Sequence, residues 1–255
     1  QKDINNNDKP FYNILTGNNE NEGIAIKLNA NTGDLISFAN NNFQNIEIKT
    51  NTINNEQAKE YSNQIIEKVG LKESEYQLTN CTQQQITYSD QVKNVWVATY
   101  NKLYDGIYNP YEVLTNNFVI NDNKIEISSI IETSDGTYDN NPTVITQEEA
   151  TQIAINKEKE LTSREIESTS SEIGIRKMNS YIYMLENELS VSDIDIKIDG
   201  NIDIEDKKIR KVWIINIKHN EIYTEYNSII DFQKQANKKY YIDATTGEII
   251  GGEEV

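Results

Sequence analysis

The chain has 255 residues, enough for one large core or two small ones, and is 36% hydrophobic. Its 24 Lys and Arg against 41 Asp and Glu give a formal net charge of -17, which repels phosphate backbones and anionic surfaces and argues against nucleic acid as a partner. No run approaches the roughly 20 apolar residues that span a bilayer as a helix, and the lone Cys81 leaves no intrachain disulfide.

Residues 1–22 are rich in Asn, Asp, Lys and Gly, with only Phe11, Tyr12, Ile14 and Leu15 to anchor them, and read as a loose leader. The start at Gln1, without an initiator Met, points to a removed upstream segment, through which alone a membrane would be reached. Residues 23–50 read as a β-hairpin: Ile24, Ile26 and Leu28 alternate with polar neighbours, and Thr32-Gly33 supplies the turn before Leu35 and Ile36.

Asn54 with Gln57 three positions on is an N-cap signature, and Ala58, Tyr61, Ile65 and Val69 follow at helical spacing before Gly70. After a polar stretch, Val95 to Tyr100 reads as a buried strand, Tyr104 to Tyr111 as a loop, and Phe118 to Ile131 as two short strands around Asp122-Asn123. The order then restarts. Thr146 with Glu149 caps a helix through Ala150, Ile153, Ala154 and Leu161, Val212 to Ile217 repeats the Val-Trp strand, and Tyr240 to Ile250 closes as a hairpin. Its turn, Thr245-Thr246-Gly247, echoes Asn31-Thr32-Gly33, as expected of a repeated supersecondary unit. The expected organisation is one unit over 51–140 and a longer one over 141–255, with a β-hairpin insertion near 181–205; residues 23–50 are then the remnant of an incomplete unit.

Val144 to Ala154, Lys239 to Gly252 and the intervening Val212-Trp213 resemble the opening helix, closing hairpin and central strand of the PepSY superfamily, the module of peptidase propeptides and of many exported or membrane-anchored bacterial proteins. Asn54 to Ala58, Val95 to Val97 and Tyr104-Asp105-Gly106-Ile107 follow a looser version. The resemblance implies an α+β fold of tandem units, each a helix packed on an antiparallel sheet in the PepSY or cystatin-like manner. It also implies a binding or inhibitory role without chemistry of its own.

Catalytic motifs are missing: there is no glycine-rich phosphate loop, His-Glu-x-x-His or Gly-x-Ser-x-Gly. The single histidine, His219, reads as a surface residue at a strand end, and Cys81, among Asn80, Thr82 and Gln83, as structural. The metal candidate is the segment carrying Asp195, Asp199, Asp203 and Asp206. Its isoleucines alternate at period two around Asp199-Gly200-Asn201, and Lys197 stands where a calcium loop needs an oxygen, so the hairpin reading outweighs the calcium one. No cofactor is expected. The partner-binding candidates are Tyr104, Tyr108 and Tyr111, whose rings either pack under the neighbouring sheet or present a contact surface.

The expected function is that of a non-catalytic, exported protein-binding module, extracellular or in the cell envelope, whose partner is another protein such as a peptidase or an envelope component. The alternatives are a structural or adhesive envelope repeat and a calcium-modulated binding module.

Overall fold

A computed structural model of the protein describes residues 10–17, 23–48, 53–88, 91–121, 124–182, 208–220, 222–227, 230–235 and 237–255. The chain divides into two compact units, Gln1–Ser134 and Asp135–Val255.

The first unit is built on a seven-stranded sheet in the order β1-β2-β3-β7-β6-β5-β4, every neighbouring pair antiparallel. Its strands are β1 (Phe11–Leu15), β2 (Ile24–Asn29), β3 (Leu35–Asn40), β4 (Tyr76–Tyr88), β5 (Gln91–Tyr104), β6 (Ile107–Asn121) and β7 (Lys124–Ser134). Its one α-helix among the described residues, α1 (Asn55–Lys68), starts at a complete capping box: the Gln57 N–H donates to Asn54 Oδ1 at 2.9 Å and the Asn54 N–H to Gln57 Oε1 at 3.1 Å. Ala58, Ile65 and Ile66 of α1 share a core with Tyr76, Cys81, Ala98, Tyr100, Leu114, Phe118 and Ile130 of the sheet. A second core gathers Phe43, from a 3-10 turn at Asn41–Asn45, with Val95, Val97 and Val119. Period-two alternation explains the split, since Val95 and Val97 project from β5 away from Ala98 and Tyr100.

The second unit holds β8 (Thr137–Asp139), α2 (Gln147–Leu161), β9 (Ile166–Lys177), β10 (Lys208–His219), β13 (Lys238–Asp243) and β14 (Ile249–Glu254), with a separate hairpin of β11 (Ile222–Asn227) and β12 (Ile230–Gln235). β10 is central: it pairs antiparallel with β9 and β13 and, over Lys208–Arg210, parallel with β8. α2 also begins at a capping box, with the Thr146 N–H donating to Glu149 Oε2 at 2.8 Å and the Glu149 N–H to Thr146 Oγ1 at 3.2 Å. Ala150 and Ala154 bury against Ile215, Ile217, Tyr240 and Ile242.

The expected α+β architecture of tandem helix-on-sheet units is therefore corrected. The chain is mainly β, with two α-helices of 14 and 15 residues among the described residues and a seven-stranded antiparallel sheet at its largest part. The cause is a non-local pairing. Ser37 to Ala39 of β3 pair with Ser129 to Ile131 of β7, which fuses the early hairpin into one broad sheet with β4 to β7. β1 extends that sheet from within the expected leader, pairing Phe11 to Leu15 with Ala25 to Asn29.

Candidate functional site

The expected loop from Tyr104 to Tyr111 is a tight hairpin instead. β5 runs to Tyr104, β6 begins at Ile107, and the two residues between them, Asp105 at φ 52° and Gly106 at φ 76°, both hold the left-handed conformation of a type I′ turn. Tyr104 pairs with Ile107 and Leu103 with Tyr108, so Tyr104 and Tyr108 lie on opposite faces. Tyr108 is 40% exposed, whereas Tyr104 turns into a cavity; Tyr111 is half-buried, its N–H donating to Asn109 Oδ1 at 3.0 Å. The three tyrosines thus do not form one surface.

The cavity measures about 410 Å³ and lies beyond the end of α1, where Gly70 carries the chain away at φ 84°. Tyr76, Tyr104, Glu112 and Glu132 line it from the sheet, and Lys72 and Glu75 from the α1–β4 connection. Glu112 is only 7% exposed. It accepts a short hydrogen bond from the Tyr104 hydroxyl, one from Asn109 Nδ2 at 3.1 Å and a longer one from Ser134 Oγ at 3.5 Å. Asn109 is itself fixed, because its carbonyl accepts from Asn101 Nδ2 at 3.1 Å and Asn101 Oδ1 accepts from Thr79 Oγ1 at 2.9 Å. A continuous polar chain therefore runs from β4 through β5 to the cavity carboxylate. Networks of this kind hold their members in one arrangement.

Burial first, and then the charges of Glu132, Glu112, Glu75 and Asp34, push the Tyr76 phenol far above its ordinary value. Tyr104 is raised in the same sense by burial, then by its hydrogen bond to Glu112 and the nearby carboxylate charges. Both phenols thus stay protonated, and that of Tyr104 donates to Glu112. Glu132 stands 3.9 Å from Lys102 Nζ, and Glu75 3.1 Å from Lys72 Nζ, so the lining carries paired charges of both signs. Such a lining suits recognition of a polar or zwitterionic group.

Cys81 is 4% exposed within the α1 core, and burial pushes its thiol up, as befits a packing residue. Asp195, Asp199, Asp203 and Asp206, and most of the expected 181–205 hairpin, lie outside the described residues. Among the described residues no group of three or more His, Cys, Asp and Glu side chains is placed to hold a metal ion.

His219 is not a surface residue but fully buried, and it belongs to a cluster in the second unit that sequence reading missed. Glu158, also fully buried, meets His219 Nε2 at 3.1 Å and Lys238 Nζ at 3.0 Å, and accepts a short hydrogen bond from the Tyr240 hydroxyl. Burial first, then Glu158, pushes the Tyr240 phenol up. A signal was present: Ala150, Ala154 and Glu158 repeat at four-residue spacing, placing Glu158 on the face of α2 that buries its alanines. The cluster ties α2 to β10 and β13.

No family model matches the chain, and no curated protein matches it. Three solved chains do, among them the Bacillus megaterium YpeB C-terminal domain, at 11% identity and a TM-score of 0.33 over 98% of this chain and 90% of that one. No residue of the cavity is assigned from that likeness.

Proposed function

We propose that the chain is a non-catalytic binding module of an exported protein, extracellular or in the cell envelope, and that the cavity beside Tyr104 receives a polar group of a protein partner, a peptidase or an envelope component. The observation that carries this reading is the state of the cavity's ionisable groups. Glu112 accepts from three neutral donors, Glu132 and Glu75 sit beside lysines, and the two phenols stay protonated. Groups fixed in this way recognise a ligand at little entropic cost. Export rests on the resemblance of residues 144–154 and 239–252 to PepSY modules. If the partner is a peptidase, the mechanism is occlusion of its substrate groove.

The test is titration of the purified chain into the peptidases encoded beside its gene, followed by calorimetry and by cleavage of a protein substrate. Binding or slowed cleavage that Glu112→Leu and Lys102→Ala weaken supports the reading. Neither binding nor inhibition of any of them removes the peptidase as partner.

A further inference from the structure

β4 is an edge strand that, beyond a bulge at Leu78–Asn80, carries none of the usual edge defences. Among the described residues it pairs only with β5, and it is 13 residues long, about twice the usual strand. Natural edges are blunted by charges, proline, bulges or shortness, and on β4 only the single bulge near one end is present. β4 contains no Asp, Glu, Lys, Arg or Pro, in a chain that is 25% charged, and no longer uncharged run occurs in the sequence than the one from Tyr76 through Ser89. Gln77, Thr79, Asn80, Thr82, Gln83, Gln84, Gln85 and Thr87 are exposed along it. The other edge of the same sheet, β1, has only 5 residues and follows Pro10.

We propose that β4 pairs antiparallel with β4 of a second copy of this chain, joining two seven-stranded sheets into one. The charge pattern selects this occupant. In an isologous pair each strand faces its own copy, so any charged residue near the axis meets a like charge, and like charges opposite one another across strands are destabilising. A different partner would gain specificity from complementary charges on this edge, and there are none. Two chains of net charge -17 repel over most of their surface. The uncharged run is where they approach at least cost. The regular stretch from Asn80 to Tyr88 gives an edge roughly 31 Å long at about 3.4 Å per residue, with Gln and Thr side chains able to hydrogen-bond across the junction.

The test is sedimentation velocity on the full chain over a micromolar concentration series. The wild-type protein is expected to reach twice the chain mass, and Gln83→Lys/Gln85→Lys and Gln83→Glu/Gln85→Glu, two positions close to the strand midpoint, are each expected to raise the dimer dissociation constant about tenfold or more. Mixing the Lys and Glu forms restores dimerisation, because opposite charges then face each other, a result that misfolding does not imitate. Hydrogen exchange of the wild-type β4 amides slows as concentration rises. A wild-type chain that stays monomeric overturns the proposal. So does a dimer that the β4 variants leave intact, or one dissociated instead by Ile14→Lys on β1.

Discussion

Replacing Glu158 by alanine removes the acceptor shared by Lys238 and Tyr240, beside which His219 Nε2 lies at 3.1 Å. Glu158 and His219 are fully buried, as is Tyr240, and the Lys238 side chain is 12% exposed, so water does not readily replace the lost carboxylate. Hydrogen bonds to a charged group contribute about 1.5–3 kcal/mol each, and breaking a buried ion pair from one side costs about 3–5 kcal/mol. Because the two donors, Lys238 and Tyr240, share one carboxylate their contributions do not add, and we expect a total of about 3–5 kcal/mol. That is a large share of the roughly 5–15 kcal/mol that holds a domain folded. The assay is urea unfolding followed by tryptophan emission in a Trp96→Phe background, where Trp213 reports the second unit alone; Trp213 is anchored there by its Nε1–H donating to Ile145 O at 2.8 Å. The companion variant Glu158→Leu/Lys238→Met removes both charges and is expected to cost less than Glu158→Ala. A loss below about 1 kcal/mol for Glu158→Ala, within the range of an exposed ion pair, would refute the view that this cluster clamps α2 to the sheet.

Tyr104→Phe deletes one donor to buried Glu112 and should cost the first unit about 1–2 kcal/mol, read from Trp96 emission in a Trp213→Phe background; an unchanged midpoint would sever Tyr104 from the network. Asn54→Ala breaks the α1 capping box and should cost about 1 kcal/mol in the same assay, with Asn54→Gly costing less. Glu149 has its carboxyl held below the ordinary range by hydrogen bonds from the Thr146 backbone and side chain, so its stabilisation is present above the unfolded value and is lost as pH falls through the folded one. Acid unfolding of Glu149→Gln should therefore begin from a lower plateau and show a shallower pH dependence than wild type. Tyr76 and Tyr240 have the opposite sense: their folded values are raised, so their contribution is intact below about pH 10 and is lost above it at up to about 1.4 kcal/mol per pH unit for each. Tyrosinate absorbance should show these two ionising only as their units unfold, and ionisation of Tyr240 in a folded chain would contradict its placement.

Local signals were read well from the chain. Asn54 with Gln57 and Thr146 with Glu149 each form the capping box that their spacing announces, since a cap is decided within four residues. Val95 to Tyr100 and Val212 to Ile217 lie within β5 and β10, where both faces are packed and the apolar run is dense. β4 was read as a polar stretch because an edge strand of Thr, Asn and Gln, half of it facing water, has little apolar periodicity to detect. β9, with Ser168, Thr169, Ser170 and Ser171 in succession, hides for the same reason. The architecture escaped because it turns on β3 meeting β7 across some ninety residues of sequence, which no local pattern encodes. At the candidate site, Tyr104 was singled out as part of an aromatic loop, but its partner Glu112 was not. Their meeting depends on the two-residue turn at Asp105-Gly106 and on Asn109 being held by Asn101. His219 was misplaced because its burial is set by Glu158, 61 positions earlier on a helix.

The cavity beside Tyr104 is proposed as the place where a protein partner is recognised. The most direct measurement of this is photo-crosslinking in intact cells from a benzoylphenylalanine placed at Lys72, an exposed residue of the cavity wall, beside a control placed at Gln152 on the exposed face of α2. A discrete crosslinked protein is expected from position 72, lost in Glu112→Leu, and none from position 152. Equal crosslinking from both positions, or none from position 72, would contradict the proposal.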